Sequence, residues 1–195
     1  MLRFLLGAFL VAVVSWAWSV VFYVVSPVPY YTVSETGDDI AAGAALRQHF
    51  PETGTYILPG RAAGDEVRAQ MRAEGPIATV YIRQEGSPEA SPLKVFIGTF
   101  NGMVIGALIG LAMLLLNRYT TDYWSHVAIG STFGMAYTAY PRFADIVWSD
   151  FHYGYQLMMI FSDGFSWILM VMVMAWFTRP RQRPATVGGS GARVA

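Results

Sequence analysis

Cysteine is absent from the 195 residues, which excludes disulfide frameworks, thiolate metal sites, iron–sulfur ligation and covalent haem attachment through a Cys-x-x-Cys-His run. Charge is scarce as well, at 13% of the chain against about 25% in ordinary soluble domains. The 13 basic residues balance 13 acidic ones, so no basic surplus exists to hold a nucleic acid and no acidic one to keep the chain disordered. Catalytic signatures are missing too: there is no Gly-x-Ser-x-Gly elbow, phosphate loop or dinucleotide fingerprint. What the chain has in excess is apolar side chains, 54% of the total, which is the composition of a membrane protein.

The apolar residues fall in runs. Leu2 to Val25 contains one charge, Arg3, and exceeds the roughly 20 residues that a helix needs to cross a bilayer. A signal peptide is the alternative, but the run is longer than the usual ~7 to 15 apolar residues. It also holds Trp16 and Trp18, and no small-x-small cleavage site precedes Ser26-Pro27, so an uncleaved anchor is expected. Val95 to Leu116 is uncharged and closes at Asn117-Arg118. Tyr123 to Tyr140 is diluted by Ser125, His126, Ser131, Thr132 and Thr138, yet carries no formal charge before Pro141-Arg142. Tyr155 to Phe177 is rich in Met and aromatics and holds one acid, Asp163. The expected fold is a mainly α integral membrane protein, a four-transmembrane-helix bundle with a small α+β external domain between the first and second spans. Residues 1–26 form the first span, 27–94 the external domain and linker, 95–178 three further spans, and 179–195 a basic tail.

Short-loop arginines set the orientation. A cytoplasmic N-terminus gives that side Arg3, Arg118, Arg179, Arg181, Arg183 and Arg193 against the single acid Asp122. The opposite side then holds residues 27–94, with six basic and nine acidic residues, and a loop with Arg142, Asp145 and Asp150. Both termini are therefore expected in the cytoplasm of a bacterial inner membrane, with 27–94 periplasmic. Within that segment the pattern predicts a helix over 38–50, a strand over 56–58, a helix over 65–74 stopped by Gly75-Pro76, and a strand over 77–83. Two short strands and two helices without a disulfide bury little core, so the unit is expected to lean on the membrane face or a partner.

Four features stand out as candidates. Gly98, Gly102, Gly106 and Gly110 recur every four residues in the second span, and Gly130, Gly134 and Thr138 repeat the device in the third. Such rows let backbones approach closely, and the expectation is that these two spans pack on each other. An interface with another chain, or a groove for a lipid or pigment tail, is the alternative. Asp163 is a carboxylate at membrane depth, costly and hence a candidate functional group. With Ser162, Gly164 and Ser166 beside it, pairing with Arg142 or with hydroxyl donors is expected, and a proton or cation relay is the rival. His126 is the one histidine inside a span. Imidazole ligates haem iron or chlorophyll magnesium, with Trp124 and Phe133 against the macrocycle, but bonding to Asp122, Tyr123 or a lipid phosphate is expected instead. Finally, His49, His152, Asp145, Asp150 and Asp163 share the outer side and are a candidate metal set, although without ligand spacing. No resident cofactor is expected; contact with bound lipid, (bacterio)chlorophyll or carotenoid is the remaining option.

Gly54-x-Tyr56-x-x-Pro59, Gly75-Pro76 before a strand, the glycines of the second span, and Trp148-Ser149-Asp150-Phe151 ahead of an Asp in the last span form a set. In these the chain resembles uncharacterised bacterial four-span inner-membrane proteins with a small external domain. The resemblance covers most of residues 1–178, implies that topology and brings no activity with it. Packing devices and a docking domain without catalytic groups point to a non-catalytic accessory subunit of a larger membrane complex, not an enzyme, with other integral-membrane subunits and lipids as partners. So many aromatics at membrane depth make a respiratory or photosynthetic electron-transfer assembly the natural host. The tail is expected to lie against another subunit, with Arg179, Arg181 and Arg183 on its acidic groups or on lipid phosphates. The rival classes are a small-solute or proton transporter using Asp163, and a membrane enzyme with an outer-face metal site.

Overall fold

A chain in hydrocarbon must satisfy its own backbone, so apolar runs fold as helices. In the computed structural model, which describes residues 1–88 and 91–180, the first helix, α1, spans Leu2–Val20 and continues as a wider π turn over Val21–Val25. Pro27 ends it by forcing Ser26 into the extended region at ψ 139°. After a 3-10 turn at Val28–Tyr31, α2 covers Asp39–His49, capped by the Asp38 carboxylate, which accepts from the backbone N–H groups of Ile40 and Ala41 at 2.9 and 3.0 Å. Then follow β1 (Gly54–Leu58), α3 (Asp65–Glu74) and β2 (Ala78–Ile82). The strands pair antiparallel, with Gly54 opposite Ile82 and Leu58 opposite Ala78. Gly75 stops α3 at φ +73°, a conformation that glycine adopts without strain.

The remaining helices are α4 (Pro92–Leu116), α5 (Tyr123–Trp148) and α6 (Tyr153–Thr178). Three helices of the described residues are long and apolar enough to cross a membrane: Leu2–Val25, Pro92–Leu116 and Tyr153–Thr178. α5 matches them in length, but its hydroxyls, His126, Arg142 and Asp145 dilute its apolar character. The expected end of this run at Tyr140 needs correction, because the helix continues through Pro141 to Trp148. Proline fits helical φ and removes one hydrogen bond, here the one from residue 141 to the Tyr137 carbonyl. Arg142 and Asp145 are consequently helical, not loop residues, and the chain reverses at Asp150, whose φ of 54° is a left-handed conformation that Asp tolerates.

α1 packs against α4 and α6, and α6 packs against α5, whereas α4 and α5 touch only sparingly. This overturns the expected pairing of the second and third spans through their glycines. A Cβ added at Gly102 would stand 2.8 Å from Ala12 Cβ and 2.9 Å from Ala12 Cα, and one at Gly106 would stand 3.0 Å from Ala8 Cα. Gly98 faces Trp16, and Gly110 faces Phe4 and Met174. The partner of the row is thus α1, because Ala8 and Ala12 place small residues opposite its middle. Gly130 meets Met113 of α4 as well as Val171 of α6, and Gly134 lies beneath the Trp167 indole of α6. The buried core, around Val11, Met113, Val171 and Met174, fills the half of the bundle nearer the N-terminus.

Gly102→Leu should therefore force α1 and α4 apart and cost about 1–3 kcal/mol, as overpacking does, read as a lowered unfolding midpoint in mild detergent. An unchanged midpoint would mean that the two backbones are not in contact.

Candidate functional site

Where α4 and α5 diverge, a cavity of about 580 Å³ opens among the four long helices. Its polar lining comes from Ser15 and Ser19 of α1, Asn101 of α4, Tyr137 and Thr138 of α5, and Asp163 and Ser166 of α6. The glycines at 98 and 102 leave one wall low. Most of these groups have local partners: Ser19 Oγ donates to the Ser15 carbonyl at 2.9 Å, Thr138 Oγ1 to the Met135 carbonyl at 3.1 Å, and Ser15 Oγ lies 3.5 Å from Ser166 Oγ. Asn101 and Tyr137 stand exposed at the mouth.

Arg142 Nη2 donates to Asp163 Oδ2 at 3.1 Å, bringing together the two polar residues that the sequence singles out as candidates at membrane depth. Their side chains are 29% and 36% exposed. One turn of α5 separates Thr138 from Arg142, so the ion pair lies beside the cleft, and its opposite charges cancel there. Among the described residues, Asp163 is the one carboxylate in the cleft lining.

A second, wholly apolar cavity of about 350 Å³ lies farther along the same seam, lined by Ile109, Met113, Leu116, Phe133 and Trp167 among others. Trp167 lines both cavities. Its indole Nε1 donates to the Gly130 carbonyl at 3.0 Å, and its ring lies 6.1 Å from that of Tyr137.

At the opposite end of the bundle, Arg3 donates to the carbonyls of Trp176 and Arg179, closing the C-terminus of α6. Arg179 stacks over the Trp176 ring, 3.4 Å from its centroid. Arg181 and Arg183 lie outside the described residues. Asp122 caps α5: its Oδ2 accepts from Ser125 N at 2.7 Å, and that bond holds the carboxyl below its usual range. His126 is 3% exposed, with Nδ1 2.7 Å from the Asp122 carbonyl and Nε2 buried without a protein partner. The ring is thus packed in protein, away from the surface where Trp124 and Phe133 are exposed. Among the described residues no three His, Asp or Glu side chains gather as a metal site would require, so the structure does not bring His49, His152, Asp145, Asp150 and Asp163 together.

Sequence reasoning found Asp163 and Arg142 but missed Asn101, Tyr137 and Trp167 as members of the cleft. Asn101 was the available signal, since a lone amide near the middle of an otherwise apolar run needs a partner. Comparison with known proteins finds no matching family model, no matching curated protein and no matching solved structure.

The ion pair makes a graded prediction. Asp163→Asn keeps an oxygen for Arg142 and should preserve the fold. Asp163→Leu strands the guanidinium and should cost about 1–3 kcal/mol, less than a fully buried pair because both side chains are about one-third exposed. Adding Arg142→Met to Asp163→Leu should recover most of the loss. Thermal unfolding in detergent measures all three, and equal losses for Asn and Leu would remove the pair from the account.

Proposed function

We propose that this chain is a non-catalytic accessory subunit of a larger bacterial inner-membrane complex, anchored by four spans and docking through its α+β unit. The observation that carries the reading is that no residue from Ser26 to Pro88 is buried. Ile40 is 87% exposed, Tyr81 74% and Ile57 65%. Fixing a backbone costs about 1–2 kcal/mol per residue, and a two-stranded sheet with two helices around it offsets little of that without a core. Local ties exist: Thr53 Oγ1 donates to Glu85 Oε2 at 2.7 Å, accepts from Gln84 N at 3.0 Å, and the rings of Phe50 and Tyr56 lie 4.8 Å apart. They tie the start of β1 to the segment after β2 and to the end of α2, and leave the apolar side chains of the unit for another surface. A partner subunit's periplasmic face supplies the missing core.

In this topology α5 is the third of the four spans, with Tyr137 and Thr138 on the cleft and Arg142 paired with Asp163 of α6. Both termini are cytoplasmic, where Arg3, Arg118 and Arg179 follow the bias of short loops. The transporter alternative is weaker because Asp163 already shares its charge with Arg142 and, among the described residues, has no second carboxylate facing it in the cleft.

Two measurements test this. An impermeant thiol reagent on intact cells should label a cysteine placed at Ser87 and not one placed at Ser190; the reverse would invert the topology. The double substitution Ile40→Asp/Tyr81→Asp should sharply reduce co-purification of partner subunits from mild detergent while leaving the unfolding midpoint of the bundle unchanged. Undiminished co-purification would mean that the unit does not dock.

A further inference from the structure

The seam between α4 and α5 holds two cavities of opposite character that share one residue. The cavity of about 580 Å³ carries hydroxyl, amide and carboxylate groups, and the neighbour of about 350 Å³ has an apolar wall of residues such as Ile109, Met113, Leu116 and Phe133. Trp167 stands between them. Both volumes fall within the range of small-molecule sites, about 300–1,000 Å³. A transmembrane helix is about 10–12 Å across with its side chains and would bring far more bulk than either cavity admits.

The polar cavity also has unmet needs. Asn101 and Tyr137 are exposed close to the middle of α4 and α5, where lipid tails offer no hydrogen bonds. Pro141 has no N–H to give to the Tyr137 carbonyl, so that carbonyl lacks its usual helical donor. No net charge accompanies them, because Arg142 neutralises Asp163. An occupant of the polar cavity would meet donors and acceptors without a counter-ion, and the adjoining cavity would take a chain of hydrocarbon.

We propose that the α4–α5 seam binds a lipid-soluble molecule with an uncharged head bearing carbonyl or hydroxyl oxygens and a hydrocarbon tail. The head lies among Asn101, Tyr137, Thr138 and Ser166, and the tail passes Trp167 toward Phe133 and Ile109. Quinones and diacylglycerols share this chemistry; an anionic phospholipid does not, since its phosphate would meet no unpaired cation. The proposal takes the four-span topology as a premise and is independent of the docking role, because binding is measured on the purified chain.

The test uses decylubiquinone and dioctanoylglycerol as neutral probes and dioctanoyl phosphatidylglycerol as the anionic comparison, each titrated into the full chain in lipid nanodiscs. One or both neutral probes should bind saturably, about one per chain, and displace no more readily with the anionic lipid than with buffer. Which neutral probe binds separates the two sources. Asn101→Leu/Tyr137→Phe should weaken that binding about tenfold, the sum of two modest hydrogen bonds, with the unfolding midpoint of the empty protein unchanged. A photo-crosslinker at position 101, in the otherwise intact chain in native membranes, should yield adducts of lipid mass. Absence of saturable neutral-probe binding, equal binding of the anionic lipid, an unaffected double variant, or crosslinks to a protein instead would each overturn the proposal.

Discussion

Every other long helix sends a hydrogen-bond donor to a backbone carbonyl of α6. Trp18 of α1 reaches Ser162, Tyr123 of α5 reaches Met172, Asn117 at the end of α4 reaches Thr178, and Arg3 reaches Trp176 and Arg179. The physical need is plain at the C-terminus, where the last carbonyls of a helix have no intrahelical donor and carry the negative end of its dipole. Arg3 meets that end with a charge, and Asn117 with an amide. Since lipid tails provide no hydrophobic force to press helices together, such bonds and close packing must do it. α6 is therefore the element on which the placement of the others depends.

The open seam follows from that arrangement. α1 lies against α4 through two small-residue faces, and α5 lies against α6 through Gly130, Gly134 and Trp167. With the glycines of α4 spent on α1, α4 and α5 have few small positions left for each other and touch sparingly, Met113 reaching Gly130 beside the apolar cavity. Farther along they separate, and the polar residues of four helices face the gap. The Arg142–Asp163 pair stands at this looser end, where two charges can be kept together without either being fully removed from polar surroundings.

Much of this was legible because apolar length and turn residues act locally. The helices over Asp39–His49 and Asp65–Glu74 announced themselves through Asp38, Asp39 and Gly75, and the three most apolar spans through their runs. Which helix packs on which was not legible from the glycine rows alone. A row identifies a face that permits close approach, but the partner is decided by the opposing surface, and Ala8 and Ala12 are inconspicuous in a run of apolar residues. The end of α5 was misplaced for a related reason. Pro141 reads as a stop, yet its cost is one hydrogen bond, and the helical turns beyond it are held by their own ladder as far as Ser149, whose N–H reaches the Asp145 carbonyl at 3.1 Å. The cleft was hidden because its members are single polar residues on four separate helices, and no periodicity within one helix links them.

The two ends of the bundle differ in what holds them. Toward the N-terminus, Arg3, Asn117 and Tyr123 lock α1, α4 and α5 to α6 over a core of Val11, Met113, Val171 and Met174. Toward Trp148 there is the cleft, and beyond it the α+β unit without a buried residue. That unit meets the turn between α5 and α6, where Ile57, Pro59, Arg72 and Ala78 share a cavity of about 350 Å³ with Trp148 and Asp150. A surface that orders the strands also bears on this turn. α5 runs from Trp148 past Arg142 and Pro141 to Tyr137, so one helix leads from the turn to the mouth of the cleft. Stability is lowest where buried contacts are fewest, and in this chain that region contains both the unit proposed to dock and the cavity proposed to bind.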